Sequence, residues 1–367
     1  MAHPFVTVLV DTYNHERFIE EALASVVEQD FRASEMEILV VDDGSTDRTP
    51  DIVRKFAPRV RLLRKQNGGQ ASAFNFGIPE ARGEIVAFLD GDDWWARNKV
   101  TRVAETMAAD PSLGIVGHGI ITVHRDGSRQ AEILREGFRF RADTVEGARL
   151  LRRRGSFLGT SRMTIRRDLL TKIGAIPQAI RVQADEYLFT LAATLADAQI
   201  LQDALTFYRL HESNAFQVGK FNLERERRKQ QSLCDLATSL ASRLEAYGIE
   251  RNAATEAVAY TRAFADRLRL ATGGGWSFQT ASTEWKLYRI SHPEASFVHR
   301  VFKSLTLLAA LAVPPKAYYG IQRRISESGR YRRFREAVLP APRMPHIGLS
   351  EDGLWHVDSA DANPSKL

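Results

Sequence analysis

The segment Glu84-Ile-Val-Ala-Phe-Leu-Asp-Gly-Asp-Asp-Trp94 limits the fold of this chain more than any other. Ile85 to Leu89 run without a polar residue, the pattern of a strand buried on both faces, as in a mostly parallel sheet. The run passes directly into Asp90, Asp92 and Asp93, and Gly91 permits a sharp turn where the strand stops. Three carboxylates within four residues repel one another and require a cation, hydrogen-bond donors or water. In open α/β sheets ligands collect at the carboxyl ends of strands. The segment therefore predicts either a divalent-metal site or a solvated acidic turn in which an aspartate caps the next helix.

The neighbouring sequence repeats the pattern. Phe5 to Asp11 predicts a strand ending in Thr12-Tyr13-Asn14, with Asn14 as a helix N-cap, and residues 16–29 carry apolar positions at helical spacing. Glu37 to Val41 predicts a second buried strand ending in Asp42-Asp43. A helix over Thr49–Ala57 follows, then a strand over Val60–Leu63, a turn at Asn67-Gly-Gly-Gln70, and a helix over Ala71–Ala81 interrupted near Gly77 and Pro79. Strands alternating with helices across short loops argue for βαβ units and a parallel sheet. Three of its strands then end in acids or amides on one edge, which is the pattern of a site. Neither Gly-x-Gly-x-x-Gly nor Gly-x-x-x-x-Gly-Lys-Ser/Thr occurs, which disfavours a dinucleotide-binding domain and a P-loop nucleotidase. A nucleotide held through a metal on its diphosphate remains compatible.

Further on, the sequence predicts a helix over 97–109, a strand over Gly114–Val123 and a basic, partly helical stretch over Arg139–Arg154. Phe157–Ile165 reads as extended, a helix opens at Gln183–Phe189, and Leu205–Leu210 reads as a strand ending in His211. Asp185 and Glu186 fall in the first turn of their helix, where acids complement the dipole. Adjacent helical residues point about 100° apart, so one of the two is expected to face a site.

These residues together resemble the family-2 nucleotide-sugar glycosyltransferases of the GT-A fold. The matching segments are Thr12-Tyr13-Asn14, Val40-Val-Asp-Asp-Gly-Ser-Thr-Asp47, Asn67-Gly-Gly-Gln70 with Ala73 and Asn75, Gly83 to Asp93, Ala184-Asp-Glu-Tyr-Leu188, and Tyr208-Arg-Leu-His211 with Asn214. They cover roughly residues 4–215; one departure is Asp11, where many relatives carry proline. The resemblance implies a Rossmann-like, mostly parallel central sheet flanked by helices over 1–218, followed by an α-helical C-terminal extension over 219–367. It implies that Thr12, Tyr13, Asn14, Asp42, Asp43, Gly69, Gln70, Asn75, Asp90 and Gly91 form the nucleotide-sugar site, with Asp42 or Asp43 on the base and ribose. Asp92 would bind Mg2+ or Mn2+ on the donor diphosphate, with His211 beside it, and Asp185 would be the general base. Asp93 is expected to cap the helix after Trp95. Such an enzyme takes a nucleoside-diphosphate sugar and passes the sugar, with inversion, to a hydroxyl of a glycan or lipid-linked acceptor of the cell envelope. An inactive sugar-nucleotide-binding scaffold and a nucleotidyltransferase are the alternative readings.

Composition bears on the rest. A single cysteine, Cys234, excludes an intrachain disulfide framework or a Cys-rich metal site. No basic-then-apolar leader and no run of about 20 apolar residues is present, so a cytoplasmic protein is expected. The net charge of +6 is local, because residues 300–343 hold ten basic and two acidic side chains. Apolar positions from Leu233 to Tyr247 and over Thr255–Ala271 predict helices, and Val301–Val313 is a short apolar run ahead of the basic segment. That region reads either as a peripheral contact with the inner face of a membrane or as a core or homodimer helix with a solvated basic tail. Nucleic acid is not an expected partner, since no binding motif accompanies the charge. The last residues, about 360–367, are expected to be disordered.

Overall fold

The computed structural model describes residues 6–211 except 133, 135 and 182, and then residues 222–291, 297–327, 347–349 and 355–357. Asn214, the tail over 360–367 and most of the basic segment beyond Glu327 lie outside the described residues. The chain divides into two compact units, Met1–Pro315 and Lys316–Leu367.

In the first unit β1 (Val6–Thr12), α1 (Ile19–Val27), β2 (Met36–Asp42), α2 (Thr49–Arg54), β3 (Val60–Arg64), α3 (Gln70–Gly77) and β4 (Ile85–Asp90) alternate as the periodicity predicts. There follow β5 (Trp94–Trp95), α4 (Lys99–Ala109), β6 (Leu113–Val123), β7 (Arg129–Ala131), β8 (Phe138–Phe140), α5 (Val145–Arg154), β9 (Thr164–Arg166), α6 (Arg167–Ile173), α7 (Ala184–Leu195) and β10 (Asp197–Arg209). The sheet runs β3-β2-β1-β4-β9-β6-β10-β5, with β7 on β6 and β8 on β10. The β3-β2-β1-β4 half is parallel, and the short β9 enters antiparallel between β4 and β6. Register decides where the site forms. Asp11 pairs with Asp90 and Thr12 with Asp42, so the polar ends of three strands finish level with one another.

Two features differ from the sequence reading. Only Thr164–Arg166 of the stretch expected to be extended is a strand; the rest forms two 3-10 turns, Gly155–Leu158 and Thr160–Arg162. There Ser161 bonds Asp90 and Asp93 and the Thr160 N–H bonds Asp185, and these tertiary hydrogen bonds override the β preference of the threonines. The helical run expected over Thr255–Ala271 is two helices, α9 (Arg251–Ala257) and α10 (Ala259–Ala271), broken at Val258.

Helices α8 (Leu223–Ala246), α9 and α10 pack onto the sheet unit, and α11 (Ser277–Ser291) and α12 (Phe297–Ala312) complete this part. Leu233, Leu236, Ala237, Leu240 and Leu244, one face of α8, belong to the same core as Ile173, Ile176, Ile180 and Leu188. The second unit contributes α13 (Pro315–Glu327) and an antiparallel pair, β11 (Ile347–Leu349) with β12 (Trp355–Val357).

A chain stopped at residue 218 would leave that core face open. Burying one large aliphatic side chain stabilises by roughly 1.5–3 kcal/mol, so losing the cover from four leucines is comparable to the whole margin of an ordinary domain. The 1–218 fragment is expected to aggregate or to bind a hydrophobic dye at 25 °C, whereas a 1–315 fragment is expected to unfold cooperatively. Thermal scans of the two fragments check this.

Candidate active site

A cavity of about 890 Å³ opens over the level strand ends. Asp11, Thr12, Tyr13, Asp43, Gly69, Gln70, Asp90, Asp92, Asp93 and Asp185 all line it, together with His15 and Glu186. Asp90, Asp92 and Asp93 each present a carboxylate oxygen within 4.8 Å of the others.

The acid turn is held by donors from three distant segments. From the 3-10 turn, Ser161 Oγ donates to Asp93 at 2.7 Å and accepts from the Asp90 N–H at 3.2 Å. From β10, the Arg209 N–H donates to Asp93 at 3.0 Å and its Nε to the Asp92 carbonyl at 3.0 Å. The Arg209 guanidinium also lies 4.3 Å from the centre of the Trp94 ring. Just past β10, His211 Nε2 meets Asp92 Oδ2 at 2.8 Å. Gln70 Nε2 donates to Asp90 and to Thr160 Oγ1, each at 3.1 Å.

This arrangement separates the acids electrostatically. Burial pushes Asp11 up to about 7, with the charges of Asp92 and Asp185 adding to it. Burial, then Asp11 and Asp92, raise Asp90 well above the usual carboxylate range; burial and Asp92 do the same to Asp93. Burial also acts against ionised Asp92, but the hydrogen bond from His211 and the charges of His15 and His211 outweigh it and hold Asp92 low. Within the Asp90-Asp92-Asp93 turn, Asp92 is therefore the carboxylate most readily ionised. Asp11 Oδ1 is buried with no hydrogen-bond partner. A cluster of hard oxygen donors with excess negative charge and an orphaned carboxylate oxygen fits a Mg2+ or Mn2+ ion.

Asp185 opens α7 after Gln183, which takes the left-handed conformation at φ 57°. Its Oδ2 accepts from the Thr160 N–H at 3.2 Å, and burial raises its pKa. The expectation that only one of the pair faces the site needs correcting: Asp185 and Glu186 both line the cavity. Glu186 is turned toward α10, where Thr261 Oγ1 donates to it, and burial pushes its carboxyl up to about 7.

Other expected residues have different placements. Asp93 does not cap a helix, since α4 starts at Lys99 and both Asp93 oxygens are engaged by Ser161 and Arg209. Asn14 is not an N-cap, because α1 begins only at Ile19; it sits at φ 56° and accepts from the Thr46 N–H at 2.8 Å. Both amide atoms of Asn75 are used on the Ile176 backbone, each at 2.8 Å, which fixes a loop away from the cavity. Asp42 is buried against Arg64 at 2.7 Å, whereas Asp43 lines the cavity. Asp43 already accepts from the Gly68 and Gly69 N–H groups and from Lys65 Nζ, so its lone pairs shape the Asn67–Gln70 loop. Gly91 does not line the cavity but allows the close turn, since a Cβ there would stand 2.7 Å from Thr12 Oγ1. Sequence reasoning missed His15, Ser161 and Arg209. His15 directly follows the Thr12-Tyr13-Asn14 segment and Arg209 precedes His211 by two, so adjacency could have flagged both; Ser161 gave no signal.

The family model for glycosyl transferase family 2 matches residues 7–174. Through that segment the chain belongs to glycosyl transferase family 2. An uncharacterized glycosyltransferase of Nostoc is 33% identical over 215 residues, 57% of this chain and 66% of that protein. The poly(ribitol-phosphate) beta-N-acetylglucosaminyltransferase TarS of Staphylococcus aureus is 42% identical over 92 residues, 24% of this chain and 16% of that protein. The chain thus spans less than two thirds of these curated relatives. Among solved structures, S. aureus TarS superposes with a TM-score of 0.56 at 20% identity, over 82% of this chain and 54% of that one. A mannosyltransferase from Pyrobaculum calidifontis, in complex with GDP-mannose and Mn2+, gives 0.51 at 20% identity, over 91% and 84%. The fold is GT-A, with flanking helices and a C-terminal helical region.

The ionisation pattern gives a signed pH prediction. Folded Asp11 titrates near 7 against an ordinary 3.8, so the cation-free folded state holds protons that the unfolded chain releases. Its stability is then complete below 3.8 and lost as pH rises toward 7. In EDTA the melting temperature is expected to fall between pH 5 and 7.5, and millimolar Mn2+ to restore it at 7.5 but not in Asp92→Ala. A flat profile in EDTA, or full restoration in that variant, would contradict the cluster's role.

Proposed function

We propose that this chain is an inverting, divalent-metal-dependent glycosyltransferase that moves a sugar from a nucleoside-diphosphate sugar to an acceptor hydroxyl. The observation that carries this reading is the meeting, in one cavity, of the Asp90-Asp92-Asp93 cluster with the buried carboxylate of Asp185. Asp92, backed by Asp90 and with His211 beside it, would hold Mg2+ or Mn2+. When bound, the cation would neutralise the charge that develops on the diphosphate leaving group. Thr12, Tyr13, Gly69 and Gln70 line the part of the cavity over the strand ends and would seat the nucleotide. Asp185, kept in place by the Thr160 N–H, would take the proton of the attacking hydroxyl. A single base with no second nucleophile assigned beside it favours one displacement and inversion. Its raised pKa suits the task, because a stronger base accepts that proton more readily.

Asp185→Asn is expected to lower transfer and donor hydrolysis by at least about 100-fold while leaving donor binding intact. In the native protein the rate should climb with pH as Asp185 loses its proton. Full activity in the Asn protein would refute the assignment. The donor itself is found by thermal shift across nucleoside-diphosphate sugars, since binding raises apparent stability.

A cell-envelope glycan or lipid-linked molecule is the proposed acceptor, reached at the inner face of a membrane. Among the described residues no helix is long and apolar enough to cross one. Helix α12 supports surface contact: Leu307 and Ala310 face inward, while Phe297, Val301, Leu305, Leu308 and Leu311 recur at three- and four-residue spacing and are 41–81% exposed. The basic excess of residues 300–343 is complementary to anionic lipid. Co-sedimentation with phosphatidylglycerol vesicles is expected, weakened by salt and lost in Leu305→Glu/Leu308→Glu. A dimer that this pair of changes dissolves, with no vesicle binding, would assign the face to a second copy instead.

A further inference from the structure

The cavity continues past Asp185 along α7 to the C-terminal helices. Phe189 and Thr190 follow Glu186 by three and four residues, and all three line the cavity, so one face of α7 looks into it beyond the base. Helices α9 and α10 add Ala257 and Tyr260 to the same lining. Phe264 packs against the Tyr260 ring, with centroids 6.0 Å apart and planes 17° from parallel. Tyr260 nevertheless stays 39% exposed. It is an aromatic ring steadied by a neighbour and open to the cavity.

Glu186 ties that ring to the reacting hydroxyl. It adjoins Asp185 in the chain, and Thr261, the residue after Tyr260, donates Oγ1 to its Oε1. Among the described residues Thr261 is the one side chain that hydrogen-bonds this carboxylate, and no Lys or Arg pairs with it. A carboxylate engaged by a single hydroxyl keeps acceptor capacity for further donors. An aromatic face beside an acceptor oxygen complements a sugar ring, which has an apolar C–H face and hydroxyl donors at its edge. It suits an acyclic polyol phosphate poorly. Such a chain has no flat face to stack, and its charge is repelled by Glu186.

We propose that Tyr260 and Glu186 form an acceptor subsite for one pyranose ring, whose C–H face stacks on Tyr260 while a hydroxyl donates to Glu186. This rests on the transferase reading and narrows it: the acceptor carries a sugar ring at or next to the attacked hydroxyl. Stacking and neutral hydrogen bonds carry the recognition, so binding should be insensitive to salt.

Fluorescence anisotropy with the full chain tests this on four labelled probes: maltohexaose, chitohexaose, mannohexaose and a glycerol-phosphate hexamer. At least one of the three pyranose probes is expected to bind ten-fold or more tightly than the glycerol-phosphate hexamer and to hold its affinity in high salt. Tyr260→Ala should lose about ten-fold of that affinity, and Tyr260→Phe, which keeps the ring, should retain it. Glu186→Ala should weaken binding and Glu186→Gln should recover part of it. Because Glu186 is buried, Tyr260, on the cavity surface, carries the decision. Calorimetric titration with UDP, GDP, ADP and dTDP in Mn2+ should be the same in Tyr260→Ala and the native chain. The proposal is overturned if no pyranose probe binds, if the glycerol-phosphate hexamer binds as tightly as the best of them, or if Tyr260→Ala leaves pyranose affinity intact. It is overturned too if that change weakens nucleotide binding, since the ring would then serve the donor. Failure of the native chain to bind any of the four nucleotides, with pyranose binding preserved, would instead remove the transferase reading and leave the sugar subsite standing.

Discussion

Seven carboxylates, Asp11, Asp43, Asp90, Asp92, Asp93, Asp185 and Glu186, line one cavity, and everything around them is arranged to make that assembly tolerable. Parallel pairing brings Asp11 beside Asp90, and backbone register leaves no freedom to separate them. Stability then depends on donors, because an unpaired buried charge is far more costly than a neutral or hydrogen-bonded one. Ser161, Arg209, His211 and Gln70 supply them. None of the four lies on the strand that carries the acids, so the turn keeps its shape only in the completed fold. The long strand β10 has a second task here. It joins β6 to β5 in the sheet and also returns Arg209 and His211 to a turn more than a hundred residues earlier in sequence.

The C-terminal helices extend the same logic to the other wall. Thr261 of α10 fixes Glu186, which separates it from Asp185 although the two are neighbours in the chain. Glu256 of α9 holds Arg149 and Arg152 and thereby sets the end of α5. The helical region is therefore part of the cavity, and α8 is part of the core beneath it. The family match covers residues 7–174 and stops short of these helices.

What could be read from the sequence follows the range of the forces involved. The strands β1, β2 and β4 are short apolar runs bounded by acids and glycine, and these local patterns survive folding unchanged. Their level ends follow from parallel pairing alone. The turns over Gly155–Arg162 were not legible, because Thr160 and Ser161 favour a strand until Asp185 and the acid turn provide hydrogen-bond partners. Asp93 was misread for the same reason: an aspartate near a helix start resembles a cap when its partners, Ser161 and Arg209, lie far away in sequence. Asn75 and Asn14 match the family motif, yet the structure uses their amides on backbone groups of loops, work that residue identity alone does not reveal.

The division of ionisation among the acids follows from these placements. The two histidines lie on one side of the cluster, 2.8 and 3.9 Å from Asp92 Oδ2, so they act first on the negative charge of Asp92. Asp90 and Asp93 receive neutral hydrogen bonds, and Asp11 lies beside Asp90 with one oxygen orphaned. Protons therefore reside on these three first, and a cation held there would compete with them for the same oxygens. Near neutral pH the balance is close, since Asp11 titrates near 7. The donors from β10 and the 3-10 turn already fix the shape of the cluster. Preorganisation of this kind places the cost of gathering like charges in folding.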